Sequence, residues 1–452
     1  MGKKSQARII SCNMNSVEIC ASAARISTTE GDAIEIYENS RESVKNQEMV
    51  KKVLMLGHKS VIEHAVFSIA FCNVSAFVEQ FFIESRLASF TVKSRRYVDF
   101  SKFGYYIPDD LEGTNRTQYC QYMDNLFSAY KTILEKGVPK EDARFLLPYS
   151  FNSNFYCTLN ARELAHCINA IRYGRGKDIP ELQNLADQII DQIAQKSPWL
   201  LTELNKKKEN TIEKDAFDEV RAKNPISFIE AEEAGNVCIL DTPSDPLKVL
   251  KKAYSITHSG FNSGFDWKTL FEEERPRELE QLSYSFLISN ITLSGITHIV
   301  RHRLQSILVP SIQSIDHSKY IVPDTIKEDE NLLAIYKEAL ETANCMVKQM
   351  CQNTALRKYN YYYALSGNTM DIMTTMNTRE LKHFIQLRSC QRAQWEIRKI
   401  SIEMLKKLRQ TSPGLFERFG PSCYVEGICP EGKLACGKME QVAEHIDSLI
   451  QL

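Results

Sequence analysis

The densest chemistry in the 452-residue sequence lies at Arg301-His302-Arg303, with Ser311 after a gap of seven residues. Two guanidiniums flank an imidazole just after an apolar run, Ile296, Ile299 and Val300. The planar fork of arginine suits phosphate or carboxylate oxygens, which it can meet with two N–H donors at once. A fainter version stands earlier, where Glu84-Ser85-Arg86 precedes Ser94 by the same gap. Ser94-Arg95-Arg96 brings a hydroxyl and two guanidiniums together, and Arg144 follows Gly137-Val138-Pro139 at short range. Residue types alone leave two readings, an anion site or a structural ion-pair cluster.

The earlier stretch belongs to an internal repeat. Glu63 recurs as Glu280, Asn160-Ala161-Arg162-Glu163-Leu164 as Asn377-Thr378-Arg379-Glu380-Leu381, and His166 as His383, each 217 residues on. Nearer the start the best pairing is Ile10 with Ile239 and Ala24 with Ala253, so the second copy has lost about a dozen residues ahead of Glu280. The expected boundaries are 1–205 for the first copy, 206–234 for a charged linker and 235–416 for the second copy. A cysteine-containing tail then occupies 417–452. The linker opens on Asn205-Lys206-Lys207-Lys208 and is acid-rich afterwards, which reads as solvated chain with room for one helix.

The elements that must position these residues follow from apolar periodicity. Strands are expected over 7–11 and 65–71, and helices over 17–25 and over 49–56, the latter closed by Gly57. A long helix is expected over 75–82, a helix pair around 137–144, and a helix starting at Asn160, a good N-cap. One long amphipathic helix is expected over 379–409.

A formal net charge of -1 gives no global field toward nucleic acid or anionic lipid, so a bound phosphate must meet a local cluster. No run is apolar enough to span a bilayer, and the first residues lack the apolar core of a signal peptide. Thirteen cysteines, an odd number scattered singly, suggest reduced thiols and a cytoplasmic location.

With Arg301-His302-Arg303 and Ser311 in place, the chain resembles the flavin-dependent thymidylate synthases (ThyX), duplicated head to tail. The first copy is similar through residues 57–64, Leu87-Ala88-Ser89, Ser94-Arg95-Arg96-Tyr97-Val98, Gly137-Val138-Pro139 with Ala143-Arg144, and Asn160-Ala161-Arg162. The second is similar through residues 301–311 and 377–381, Leu387-Arg388, and Ala393-Gln394-Trp395-Glu396-Ile397-Arg398. The resemblance implies an α+β fold in two tandem copies, each an antiparallel sheet packed by long helices. It implies methylation of dUMP to dTMP, with methylenetetrahydrofolate as carbon donor, FAD as hydride carrier and NADPH as reductant. No cysteine need act as nucleophile. Family members are usually tetramers with sites shared between subunits, so two fused copies imply a homodimer of this chain.

Carried over by position, the resemblance implies substrate-binding roles for Ser94, Arg96, Arg144, His298, Arg301 and Arg388, with Arg301 and Arg388 catalytic. Cofactor-binding candidates are His64, Asn160, Arg162, His166, His302, Arg303, Asn377, Arg379 and His383. The copies have decayed in complementary ways. Glu84 and Ser85 replace the Arg-His of the signature in the first copy, and Ile171 stands where the second copy has Arg388. Gln313 and Tyr361 replace Arg96 and Arg144 in the second. One composite site would then be complete, and the reciprocal one, with Glu84 repelling a phosphate, would not. The acidic residue that many members place two before the signature serine is Val92 in one copy and Val309 in the other. Two further readings stay open, an inactive flavin- or nucleotide-binding scaffold and a related flavin enzyme for another pyrimidine nucleotide.

In the tail, Cys423, Cys429 and Cys436 are three potential zinc ligands where zinc wants four. His445 is a distant candidate for the fourth. Buried thiols in a structural cap, with no metal, are the expectation.

Overall fold

The computed structural model describes residues 4–41, 43–204, 229–230, 235–258 and 265–449. The linker at 206–234 lies outside the described residues except for Ile229–Glu230, which pair in parallel with Lys319–Tyr320.

Each copy is built on a four-stranded antiparallel sheet. In the first, β1 (Gln6–Cys12), β2 (Val66–Ser75), β3 (Ala88–Val92) and β4 (Asn152–Asn160) lie in the order β1-β2-β4-β3. In the second, β5 (Asn236–Asp241), β6 (Ser283–Thr292), β7 (Ser306–Leu308) and β8 (Thr369–Asn377) repeat it as β5-β6-β8-β7. Alternation along the central strands buries Phe67, Ile69 and Phe71 from β2 against Phe155, Cys157 and Leu159 from β4. On the opposite face Ser68 and Thr158 bond hydroxyl to hydroxyl at 2.9 Å, and Ser285 and Thr375 repeat that pair at 2.8 Å.

The repeat extends to backbone strain. Asn73 and Asn290, 217 apart, are the only non-glycine residues with positive φ among the described residues, at 52° and 55°. Asparagine tolerates that conformation better than most side chains. Each N–H is held across the sheet, by Asn154 Oδ1 at 3.1 Å and by Asp371 Oδ1 at 2.9 Å. Strand pairing also corrects the register near the start. Ile9 faces Ile69 while Ile239 faces the equivalent Phe286, so Ile9 and not Ile10 corresponds to Ile239.

The principal helices are α1 (Ala76–Ile83), α2 (Gly113–Glu135), α3 (Ala161–Tyr173), α4 (Pro180–Lys196), α5 (Leu293–Ile299), α6 (Glu330–Gln352), α7 (Thr378–Arg388) and α8 (Trp395–Thr411). Strand passes straight into helix at β2–α1 and β6–α5. Ser75 and Thr292 cap those helices by accepting the N–H of Val78 and of Gly295. A buried carboxylate then ties each strand end to a later helix. Glu181 of α4 accepts the Ser75 N–H at 2.9 Å, and Glu396 of α8 accepts the Thr292 N–H at 2.7 Å and its hydroxyl at 2.6 Å.

The chain divides into two compact units, Met1–Asn224 with Thr325–Ala364, and Pro225–Asp324 with Leu365–Leu452. A segment of the second copy therefore packs in the first unit. Its helix α6 lies against α2, the helix 217 residues earlier. Tyr122 donates to the carbonyl of Tyr363 at 2.7 Å, Asn353 to Asn115 at 2.8 Å, and Tyr362 to Glu181 at 2.8 Å.

Two helix expectations change, and the one over 75–82 is met within one residue. The helix expected over 75–82 is the eight-residue α1, buried all round, which ends where Glu84 begins a loop. The partner after Gly137 is only Lys140–Ala143. The helix expected over 379–409 is two, α7 and α8. Ser389 turns its hydroxyl back to the Ile385 carbonyl at 2.6 Å, and Gln394 caps α8 by accepting the Ile397 N–H at 3.1 Å. No helix among the described residues is long and apolar enough to cross a membrane.

Because Glu396 satisfies two buried donors of Thr292, Glu396→Ala strands both. The expected loss is about 2 kcal/mol of unfolding free energy, measured by urea denaturation. An unchanged midpoint would show that this carboxylate does not fix the β6–α5 junction.

Candidate active site

In the first unit, two of the expected anion-binding residues, Arg96 and Arg144, meet at Glu141, and Ser94 holds the turn that carries Arg96. Ser94 and Arg96 leave β3 on a tight turn, in which the Ser94 hydroxyl accepts the Arg96 N–H at 3.2 Å. The Arg96 Nε donates to the Glu141 carboxylate at 2.7 Å. Arg144, buried at 2% exposure, donates its Nε to the Glu141 carbonyl at 3.0 Å. The intervening Arg95 has a different task. It pairs with buried Glu79 and lies over the Phe151 ring, so it is part of the core.

In the second unit the Arg-His-Arg stretch follows α5. Arg301 and Arg303 are exposed, and His302 between them is buried. His302 Nδ1 lies 3.0 Å from Glu380 Oε1, and Arg388 donates its Nε to His302 Nε2 at 2.9 Å. Arginine can only donate, so Nε2 is the acceptor and Nδ1 carries the proton. Burial, with the Arg388 charge, pushes His302 below its ordinary range, although Glu380 pulls the other way. The result is a neutral imidazole holding a guanidinium in place. A second donation, from Arg388 to the His298 carbonyl at 3.3 Å, fixes the same side chain to α5. His298 is half-buried, and its backbone makes this contact.

The replaced positions have taken other work. Glu84 forms an ion pair with Arg175 and accepts from Gln80 at 3.2 Å. Its charge is therefore matched within the first unit, which corrects the expectation that it stands ready to repel a phosphate. Ser85 meets the Cys167 thiol instead of forming a charged relay. Ile171 is buried core. The turn around Gln313 keeps the geometry of its counterpart, the Ser311 hydroxyl accepting the Gln313 N–H at 3.3 Å, but the guanidinium is gone. Tyr361 is core, its ring 4.7 Å from that of Phe77.

Several cofactor candidates have structural tasks beside the two sheets. Asn160 and Asn377 cap α3 and α7 by accepting the N–H of Glu163 and of Glu380, both at 2.9 Å. Arg162 pairs with Glu63 and Arg379 with Glu280, the same bond in both copies. The His64 carbonyl accepts from Asn13 at 3.1 Å. His166 and His383 are exposed, with the His383 ring centroid 5.7 Å from that of His302. Sequence reasoning missed Glu141, Glu380 and Arg175 as participants. The first two had a usable signal: Glu141 lies one short turn before Arg144, and Glu380 stands three residues after a capping Asn.

Residues 8–199 and 239–414 each match the family described as thymidylate synthase complementing protein. The flavin-dependent thymidylate synthase of Clostridium tetani is 31% identical over 216 residues, 44% of this chain and 85% of that protein. That of Geobacter sulfurreducens is 32% identical over 168 residues, 36% of this chain and 72% of that protein. Thymidylate Synthase X from Helicobacter pylori, solved with FAD and dUMP, aligns at 19% identity over 44% of this chain and 98% of its own, with a TM-score of 0.35. With the family pattern matched across most of each half, this chain belongs to the flavin-dependent thymidylate synthases and carries their domain twice.

Proposed function

We propose that the chain methylates dUMP to dTMP, with FAD as cofactor and methylenetetrahydrofolate and NADPH as co-substrates, using residues from both copies for each nucleotide. The observation that carries this reading is the complementary division of arginines. The first copy keeps Ser94, Arg96 and Arg144, with both guanidiniums at Glu141 and Ser94 bonded to the Arg96 N–H, and the second keeps Arg301, His302 and Arg388. Neither set is complete in the other copy. The copies at 1–205 and 235–416, a cytoplasmic location and a homodimer are parts of the same proposal.

Each set has a distinct task. Two guanidiniums and a hydroxyl bind the nucleotide phosphate, each charge-assisted bond being roughly twice as strong as a neutral one. Arg301 and Arg388 stabilise negative charge developing on the pyrimidine carbonyls, and a preoriented donor of this kind contributes about 3 kcal/mol. His302 keeps Arg388 oriented without adding a charge of its own. An anionic flavin dinucleotide suits exposed Arg303, next to His302 in sequence, and exposed His383, whose ring centroid lies 5.7 Å from that of His302. FAD, once bound and reduced by NADPH, would supply the hydride that completes the methyl group. Val92, paired with Phe155 at the end of β3, gives a second reading some support: an apolar residue at that position suits a different pyrimidine nucleotide.

The test is a visible-absorption titration with FAD and then dUMP. One FAD per chain is expected, with a flavin spectral shift on adding dUMP. Arg96→Ala and Arg301→Ala should each weaken that single dUMP transition by tenfold or more, about 1.4 kcal/mol. Two independent transitions, each lost in only one variant, would sink the shared site. A shift with another pyrimidine nucleotide but not dUMP would favour the second reading.

The relay at His302 predicts a pH dependence. Its folded pKa lies below the ordinary 6.5, so the unfolded chain takes up the proton first as pH falls. Stability is fully present above about 6.5 and declines below it, by at most about 1.4 kcal/mol per pH unit for one proton. Urea unfolding between pH 7 and pH 5 should show a smaller decline in His302→Gln. Some slope should persist, because burial also pushes His317 down to about 4. An identical slope in both proteins would place the proton elsewhere.

A further inference from the structure

The C-terminal tail has a physical problem that its sequence alone cannot solve. Between Glu426 and Glu440 every residue is exposed except Cys429 and Cys436. Ile428 and Leu434, the large apolar side chains that might have anchored it, are 72% and 60% exposed. The segment is irregular, with one 3-10 turn at Gly432–Leu434 and glycines at positive φ at Gly427, Gly432 and Gly437, the last next to Cys436. Apolar burial cannot hold such a segment in one place.

The ends of the segment are well held. Arg409 of α8 is buried and donates to the carbonyls of Phe416, Glu417, Phe419 and Ile446. Tyr424 donates to Asp447 at 2.6 Å. Between these anchors Cys423, Cys429 and Cys436 line one cavity of about 50 Å³, and the fourth thiol on its wall is Cys390. Cys390 comes from the break between α7 and α8, far from the others in sequence. Cys390, Cys429 and Cys436 are all near enough to Cys423 to act on its thiol electrostatically. The Arg392 N–H donates to Cys390 Sγ at 3.4 Å. His445, the candidate fourth ligand by sequence, is exposed and is not part of this wall. The four thiols are half-buried, which corrects the expectation of a cap around buried ones.

We propose that Cys390, Cys423, Cys429 and Cys436 bind one zinc ion, a structural site that staples the tail to the turn between α7 and α8. Four cysteines and no open position match the ligand set of structural zinc. The thiols are not drawn to coordination spacing: among the described residues no three His, Cys, Asp or Glu side chains form a group able to hold a metal. All four cysteines line one cavity, so the fold brings them to the same place, and zinc binding would draw their half-buried side chains together. Binding releases the thiol protons and leaves each sulfur as a thiolate on the ion. Cys390 follows Arg388 by two residues, so the staple also fixes the end of the helix that carries this arginine.

The test uses the full chain, purified without chelator from zinc-supplemented cells, with metal read by mass spectrometry. About one zinc per chain is expected, falling about tenfold or more in Cys390→Ser and in Cys436→Ser. Cys238→Ser, at an exposed cysteine elsewhere, should keep its zinc. Because a ligand variant can misfold, the wild-type protein is also stripped with chelator and given zinc or cobalt alone. Tetrahedral cobalt–thiolate absorption, and protection of residues 426–440 from limited proteolysis on adding zinc, are the expected results. Protein that takes up neither metal and shows four freely reactive thiols, or a disulfide among them, overturns the proposal. Full zinc content in Cys390→Ser removes Cys390 from the site and overturns the staple.

Discussion

The packing of α6 against α2 is the constraint on which the first unit depends. Each is a 23-residue helix with an apolar face, and each begins and ends 217 residues from the other. A lone amphipathic helix of that length exposes an apolar stripe that must be covered. Duplication offers the same stripe twice, and the two cover each other within one unit. The polar ends then agree with the packing: Asp110 meets Lys358 and Tyr359, and Glu181 meets Tyr362. Tyr361 belongs to this contact, buried beside Phe77. An arginine there would need a buried partner, so the aromatic replacement is a packing choice as much as the loss of a ligand.

The fate of the arginines follows from what duplication relaxes. On the proposed reading, one complete set of side chains per chain suffices, and the equivalent positions in the other copy are free to change. A position released from ligand binding does not stay idle, because an unpaired charge beside a folded core is costly. Glu84 illustrates this, since its charge is matched by Arg175. Ile171 and Tyr361 have become core. The retained set shows the opposite pattern. Arg388 donates to the His302 imidazole and to the His298 carbonyl, contacts that orient its guanidinium. Arg96 is paired with the Glu141 carboxylate, part-exposed on both sides, where an ion pair is weak.

How much can be read from the sequence differs between local and long-range features. The duplication follows from a constant offset, and the capping role of Asn160 from its place before an apolar helical run. Asn160 and Asn377 show the limit of reading by resemblance, because the cap they provide accounts for them without a cofactor. The pairing of Ile9 with Ile239 differs by one residue from the expected one, since an apolar pair of neighbours such as Ile9-Ile10 carries no mark of which faces the core until a partner strand sets the register. The expected helix over 379–409 fails for a related reason. Its apolar period continues across residues 389–394, and only the side-chain bonds of Ser389 and Gln394 reveal the break. That break matters beyond its own turn. In an unbroken helix Cys390 would be one more residue on a regular surface, whereas at the interruption its thiol reaches the cavity of the tail cysteines. A ligand set divided between a helix break and a distant loop leaves no spacing pattern, so only the fold brings its members together.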